Sequence, residues 1–311
     1  MSTDVDSEGE FETSSGGFDT DSLTGVGLEW THRTESLFHA VLFGASVLGV
    51  VVLAVLIVDV ILDALTGLAI GLDPVTFLTQ HYSNDSSQAG FLGAIVGSVL
   101  LLFFTFLFSF FLGVGTAVYL EEYAPNTRVT RLIEANLTNL AGVPSVVYGL
   151  LALGVFVNGL RMGPILLAGS IALALLVVPI VIVASQEALR SVPDGMRNGS
   201  LATGATRWQT VRGVVLPSAM PGIVTGTILA LARAIGETAP LLMVGTVWGL
   251  RHTPGPFDRF GAMTTQIYQW AFLPETELNF LAAMGIAVLL AILLGMYGVA
   301  FLVRNKYERS Y

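Results

Sequence analysis

Six stretches of this chain are almost wholly apolar, at roughly 38–62, 90–119, 140–158, 164–187, 219–247 and 278–303. About 20 helical residues rising 1.5 Å each cover the roughly 30 Å of a bilayer's hydrocarbon. Each stretch therefore reads as a membrane-spanning helix, apolar on every side because lipid surrounds it. The second is longer than a crossing needs. It must tilt, break near Gly113 and Gly115, or project past the lipid. "NGLRMGP" joins the third and fourth stretches as a tight turn, so these two form a helical hairpin. "PGPFDRF" and the aromatic residues near Trp270 mark 248–277 as a substantial loop, with Trp248 and Trp270 suited to an interfacial belt.

The breaks in the apolar pattern divide the chain. Residues 1–36 form an acidic tail, 37–66 an N-terminal transmembrane helix and 67–89 an external loop. Residues 90–303 form the core, which contains a long polar loop at 188–218, and 304–311 form a second tail. Composition agrees with a multi-pass membrane protein: 53% of residues are hydrophobic, 12% are charged and the mean hydropathy is +0.74. A soluble domain carries about twice that share of charge.

The net charge of −9 is local. Residues 1–36 hold nine acidic residues against Arg33 and little to bury, so a solvated, disordered tail is expected. The basic residues set orientation. With the N-terminus inside, Arg33, Arg128, Arg131, Arg190, Arg197, Arg207, Arg212, Arg304, Lys306 and Arg309 fall on the cytoplasmic side. Only Arg161, Arg251 and Arg259 fall outside. The positive-inside rule then places both termini in the cytoplasm of a cell-membrane protein.

Cysteine is absent, which excludes disulfides and thiol catalysis. His32, His39, His81 and His252 lack metal-ligand spacing, no catalytic motif is present, and no basic–aromatic patch suits a nucleic acid. A phosphate-cradling G-x-x-x-x-G-K-[ST] loop cannot exist, because the only lysine, Lys306, follows "FLVRN". If ATP drives this protein, another chain binds it.

Two stretches carry candidate chemistry. In the 188–218 loop, Asp194 can cap a short helix over 195–203, Gly204 allows a turn, and "RWQTVRGVV" can form a second helix that Pro217 ends. Trp208 suits an anchor in a partner's pocket. The residues alone leave a docking element and an amphipathic loop lying on the membrane equally open. The other stretch is "LARAIGETAP", which puts Arg233 near mid-membrane with Glu237 four residues on and Pro240 after it. One reading is an internal ion pair. The other is a pathway, in which the Arg233 fork meets oxyanion oxygens. There Glu237 accepts a proton from a hydrogenphosphate, and Pro240 kinks the helix by denying the Gly236 carbonyl a donor.

"GATRWQTVRGVVLP" resembles the EAA loop of ABC-importer permeases, the segment that inserts into a cleft of the ATPase. Gly204 and Ala205, Trp208, and the closing Leu216–Pro217 fall within it, while Asn198 stands where the motif usually has Glu. "YLEEYAP" (119–125), "LAGVPSVVYGLLAL" (140–153) and "LARAIGETAPLL" (231–242) narrow the resemblance to the PstA family of phosphate-importer permeases, over about residues 38–305.

That resemblance implies an all-α permease of the type I, MetI-like class, with a five-helix core plus one N-terminal helix. It also implies a heterodimer with a PstC-like sister permease, two copies of a PstB-like ATPase that hold the ATP and Mg, and a PstS-like phosphate-binding protein outside. The chain itself would bind no cofactor and would be a transport subunit, not an enzyme. A permease for molybdate or sulfate, or a proton-coupled secondary transporter, are the competing expectations.

Overall fold

The computed structural model describes residues 28–83 and 85–308, with side chains for 37–83, 85–275 and 277–306. The acidic tail up to residue 27 and the final three residues lie outside the described part. Among the described residues every regular element is helical. Internal packing divides the chain into residues 1–58 and 59–311.

Helix α1 (Leu28–Ala69) begins inside the segment expected as tail, and its side chains from Leu37 to Val58 are exposed. A short helix α2 (Pro74–Thr79) follows, capped by the Asp73 carboxylate, which accepts from the Val75 and Thr76 amides. Helix α3 (Leu92–Val118) continues through a wide π turn, Tyr119–Tyr123. Its 32 residues make it about 48 Å long. It passes Gly113 and Gly115 without a break, so its excess length projects or tilts.

The third expected span is broken. Helix α4 (Arg128–Ala141) meets α5 (Ser145–Ala152, widened through Gly159) at 102°. The cause is local. Pro144 excludes the helical conformation for the residue before it, and it caps α5 at φ −55°, ψ 134°. The Tyr148 hydroxyl bridges the bend by donating to the Leu140 carbonyl at 2.7 Å, which also accepts from the Val143 amide at 3.0 Å. Among the described residues, five helices are therefore long and apolar enough to cross a membrane, or six if this bent pair counts as one.

Helix α6 (Leu166–Arg190) continues unbroken past Pro179. Helix α7 (Asp194–Ala202) occupies the long polar loop, and α8 (Arg207–Thr210) opens the next long helix. That helix widens over Val211–Val215 and continues as α9 (Leu216–Ile235). Then come α10 (Ala239–Val244), α11 (Met263–Ala271) and α12 (Thr276–Glu308).

Three apolar clusters occur among the described residues from 59 onward. The first joins α3, α6 and α9 through Val114, Val177, Val181 and Ile223. Here α9 approaches α6 closely: a Cβ on Gly222 would lie 2.8 Å from the Ala188 Cβ, and one on Gly226 would lie 2.6 Å from the Ala184 Cβ. Small residues facing each other let helix backbones meet in this way. The second cluster centres on Trp270, which is fully buried and ringed by Phe77, Tyr82 and Phe91. Trp270 is therefore not an interfacial belt residue, because α2 and α3 fold over it; Trp248 is exposed. The third cluster seats α10 among Leu101, Ala152, Leu166 and Phe260.

Candidate functional site

The two stretches singled out in the sequence lie near opposite ends of one continuous helix. That helix runs Arg207–Ile235 over 29 residues, about 44 Å. Trp208 is in its first turn and Arg233 in its last.

At the first end, Pro193 occupies the cap position of α7 with extended backbone, and Asp194 falls in the first turn. The carboxylate thus meets the positive end of the helix without being the cap expected of it. Gly204 has φ +87°, the left-handed region that a side chain disfavours, and it turns the chain between α7 and α8. Thr206 and Gln209 then form a reciprocal capping box: the Gln209 side chain accepts from the Thr206 amide at 2.8 Å, and the Thr206 hydroxyl accepts from the Gln209 amide at 3.3 Å. Pro217 does not end this helix. The π turn before it relaxes the i−4 carbonyl contact that a proline would otherwise violate. The surface of this turn is apolar where a partner could meet it: Trp208 is 57% exposed, with Met196 and Leu201 also exposed. Asn198 and Pro217 are exposed, and Ala205 and Leu216 are half-buried.

Sequence reasoning missed what holds this turn to the bundle. The π turn at the end of α3 carries "LEEY", and each of its polar residues engages an arginine. Arg190, the last residue of α6, donates from Nε to Glu121 at 2.9 Å and lies 3.7 Å from Glu134. Arg197 of α7 sits 3.0 Å from Glu122, with side chains 20% and 8% exposed, and also donates to the Leu189 carbonyl. Arg207 of α8 lies over the Tyr123 ring at 5.5 Å, within cation–π range. The available signal was two adjacent carboxylates closing an apolar span with no base beside them.

At the other end, α9 stops at Ile235. The Gly236 amide turns back to the Arg233 carbonyl at 3.2 Å, and the Glu237 amide to that of Ala234 at 3.1 Å. Arg233 therefore lies in a last helical turn, near the end of the candidate span Arg207–Ile235, and its charge suits the negative end of the helix. Glu237 lies in the break. Their side chains still approach, Nε to Oε1 at 3.8 Å, with Arg233 51% and Glu237 18% exposed. This contact is loose, and the Arg233 side chain stays half exposed. The Glu237 carbonyl accepts from the Thr264 hydroxyl of α11 at 3.3 Å. Pro240 is buried in the first turn of α10 and kinks nothing. Its missing N–H falls where a helix has no partner for one.

Two of the quoted stretches meet here, since Gly149 of α5 packs directly on Pro240. No group of His, Asp or Glu able to hold a metal occurs among the described residues.

The chain matches the family described as "Binding-protein-dependent transport system inner membrane component" over residues 109–307. It is 35% identical to a probable ABC transporter permease protein, YqgI, of Bacillus subtilis, over 65% of this chain and 74% of that protein. It is 36% identical to the phosphate transport system permease protein PstA of Mycobacterium leprae, over 70% of this chain and 72% of that one. Its fold matches a chain of a bacterial alginate ABC transporter, solved with an alginate-bound periplasmic protein, at a TM-score of 0.63 and 16% identity, covering 88% and 96% of the two chains. The chain belongs to the family of inner membrane components of binding-protein-dependent transport systems, with PstA permeases among its relatives.

Proposed function

We propose that this chain is the transmembrane permease subunit of an ATP-driven phosphate importer. The observation that carries the reading is the single helix Arg207–Ile235, which joins an exposed, Trp208-bearing turn to a half-exposed arginine fork. The first is suited to an ATPase cleft and the second to an anion. Similarity to PstA permeases supplies the anion.

In this reading both termini and the α7–α8 turn are cytoplasmic. Asn198, Gly204, Ala205, Trp208, Leu216 and Pro217 form the coupling loop. Two copies of a PstB-like ATPase bind the ATP and Mg, and the chain itself binds no cofactor. A PstC-like permease completes the pathway, and a PstS-like protein delivers phosphate from outside. Arg233, Glu237 and Pro240 belong to the pathway. The Arg233 guanidinium presents paired donors to phosphate oxygens. Glu237 accepts the P–OH proton that sulfate lacks, and Pro240 fixes where the chain re-enters helix.

Phosphate uptake into vesicles holding all four proteins and internal ATP tests this. Uptake that requires ATP and is not displaced by molybdate or sulfate is expected. Uptake driven by a proton gradient without ATP would sink it.

A further inference from the structure

At the coupling-loop end of the molecule, several buried polar atoms around the Glu122–Arg197 pair have no partner within the chain. Glu122 Oε1, Tyr123 Oη, Ser185 Oγ, Gln186 Nε2 and Arg197 Nε are buried without a hydrogen-bond partner. Glu122 and Arg197 lie 3.0 Å apart, an ion pair by distance, yet that carboxylate oxygen has no aligned donor. Gln186 sits one helical turn before Arg190, on the face that reaches Glu121.

A buried charge pair adds little to stability over well-packed apolar residues of the same size. Its usual use is to fix a register or to hold one of two arrangements. The segment it grips, Tyr119–Tyr123, is a π turn, a distortion that often marks a functional joint in a helix. Three arginines, at the end of α6, on α7 and on α8, converge on that one turn.

We infer that Glu122 and Arg197 are positioning residues that carry movement of the coupling loop into α3. The inference rests on the reading of the α7–α8 turn as the ATPase dock. As α7 moves with the ATPase, Arg197 draws Glu122 and the wide turn with it. The rest of α3, packed along α6 through Val114 and Val181, follows.

The test uses the complete transporter in vesicles, with inorganic phosphate as the probe. Three quantities are read: ATPase co-purified, ATP hydrolysed and phosphate moved. In Glu122→Gln the ATPase should co-purify as in the wild type. Phosphate moved per ATP should fall about tenfold, within the range of coupling between distant sites. Exchanging the charges, Glu122→Arg with Arg197→Glu, should restore most of that ratio. Glu134→Gln, which removes only the 3.7 Å contact, should leave it unchanged.

An unchanged ratio in Glu122→Gln overturns the inference. So does a parallel loss of co-purification, hydrolysis and uptake that the exchange does not rescue, since that marks a merely structural pair. If Glu122→Gln does not accumulate, Arg197→Gln is read by the same ratio, and a wild-type value there overturns it too. A wild-type chain that recruits no ATPase would instead refute the docking reading itself.

Discussion

Gly149 lies against Pro240 so closely that a Cβ on the glycine would fall 2.6 Å from the proline Cα and 2.8 Å from its carbonyl oxygen. The bent third span thus touches the point where the chain re-enters helix beyond Glu237. Gly149→Val should force α5 off α10 and cost about 1–3 kcal/mol, the usual penalty for overpacking. It should also displace the Arg233–Glu237 pair. Thermal unfolding of the purified transporter and uptake should both report it, whereas Gly154→Ala, in open space on the same helix, should be nearly silent in both.

Trp208→Ala should weaken ATPase recruitment without harming the membrane core, because this side chain is exposed and the helix beneath it has its own capping box. Gly204→Val should act through the backbone instead. A β-branched residue at φ +87° costs on the order of 1–3 kcal/mol, and it would re-aim α7 against α8. Co-purification of the ATPase checks both. Full recruitment together with full uptake in the two variants would remove the dock from this turn.

The Asp73 cap gives a pH test. Its side-chain bond from Thr76, then the amides of Thr76 and Val75, hold its carboxyl below the usual 3.8. A depressed carboxylate contributes stability above its unfolded value and loses that contribution as pH falls through the folded one. The window therefore lies below about 3.8. Amide exchange at Val75 and Thr76, taken relative to the intrinsic rate at each pH, should speed up there in the wild type. In Asp73→Asn, which caps without titrating, that acceleration should disappear.

The apolar runs were enough to locate the membrane helices, because lipid imposes length and hydropathy directly on sequence. The proline positions were misread for a common reason. Pro217 and Pro240 look like breakers in a linear pattern, but one follows a π turn and the other opens a helix, and both contexts depend on backbone geometry. Trp270 looked interfacial because nothing local shows that Phe77 and Phe91 fold over it. The Glu122–Arg197 contact joins residues far apart in the chain and is visible only once the fold brings α7 to the π turn after α3. Gly222 and Gly226 stand four apart in a glycine-rich chain, and their role in packing appears only in their fit against Ala188 and Ala184.

The strongest test of the pathway is the pair at the helix end. Arg233 and Glu237 approach only to 3.8 Å, with the Arg233 side chain half exposed, so their contact is too loose for mutual neutralisation to be the main use of the pair. Exposed pairs of this kind contribute little, about 0–1 kcal/mol. The double change Arg233→Leu with Glu237→Leu should therefore insert and assemble. If the charges only balanced each other, that double variant would also transport. We expect it to move no phosphate, because nothing then meets the anion as it passes. Arg233→Lys keeps the charge but loses the planar fork, and should impair uptake while assembly stays normal. Glu237→Gln keeps the shape and one acceptor, and should retain more uptake than Glu237→Leu. Uptake at wild-type level in the double leucine variant would make both charges architectural and move the pathway elsewhere on the chain.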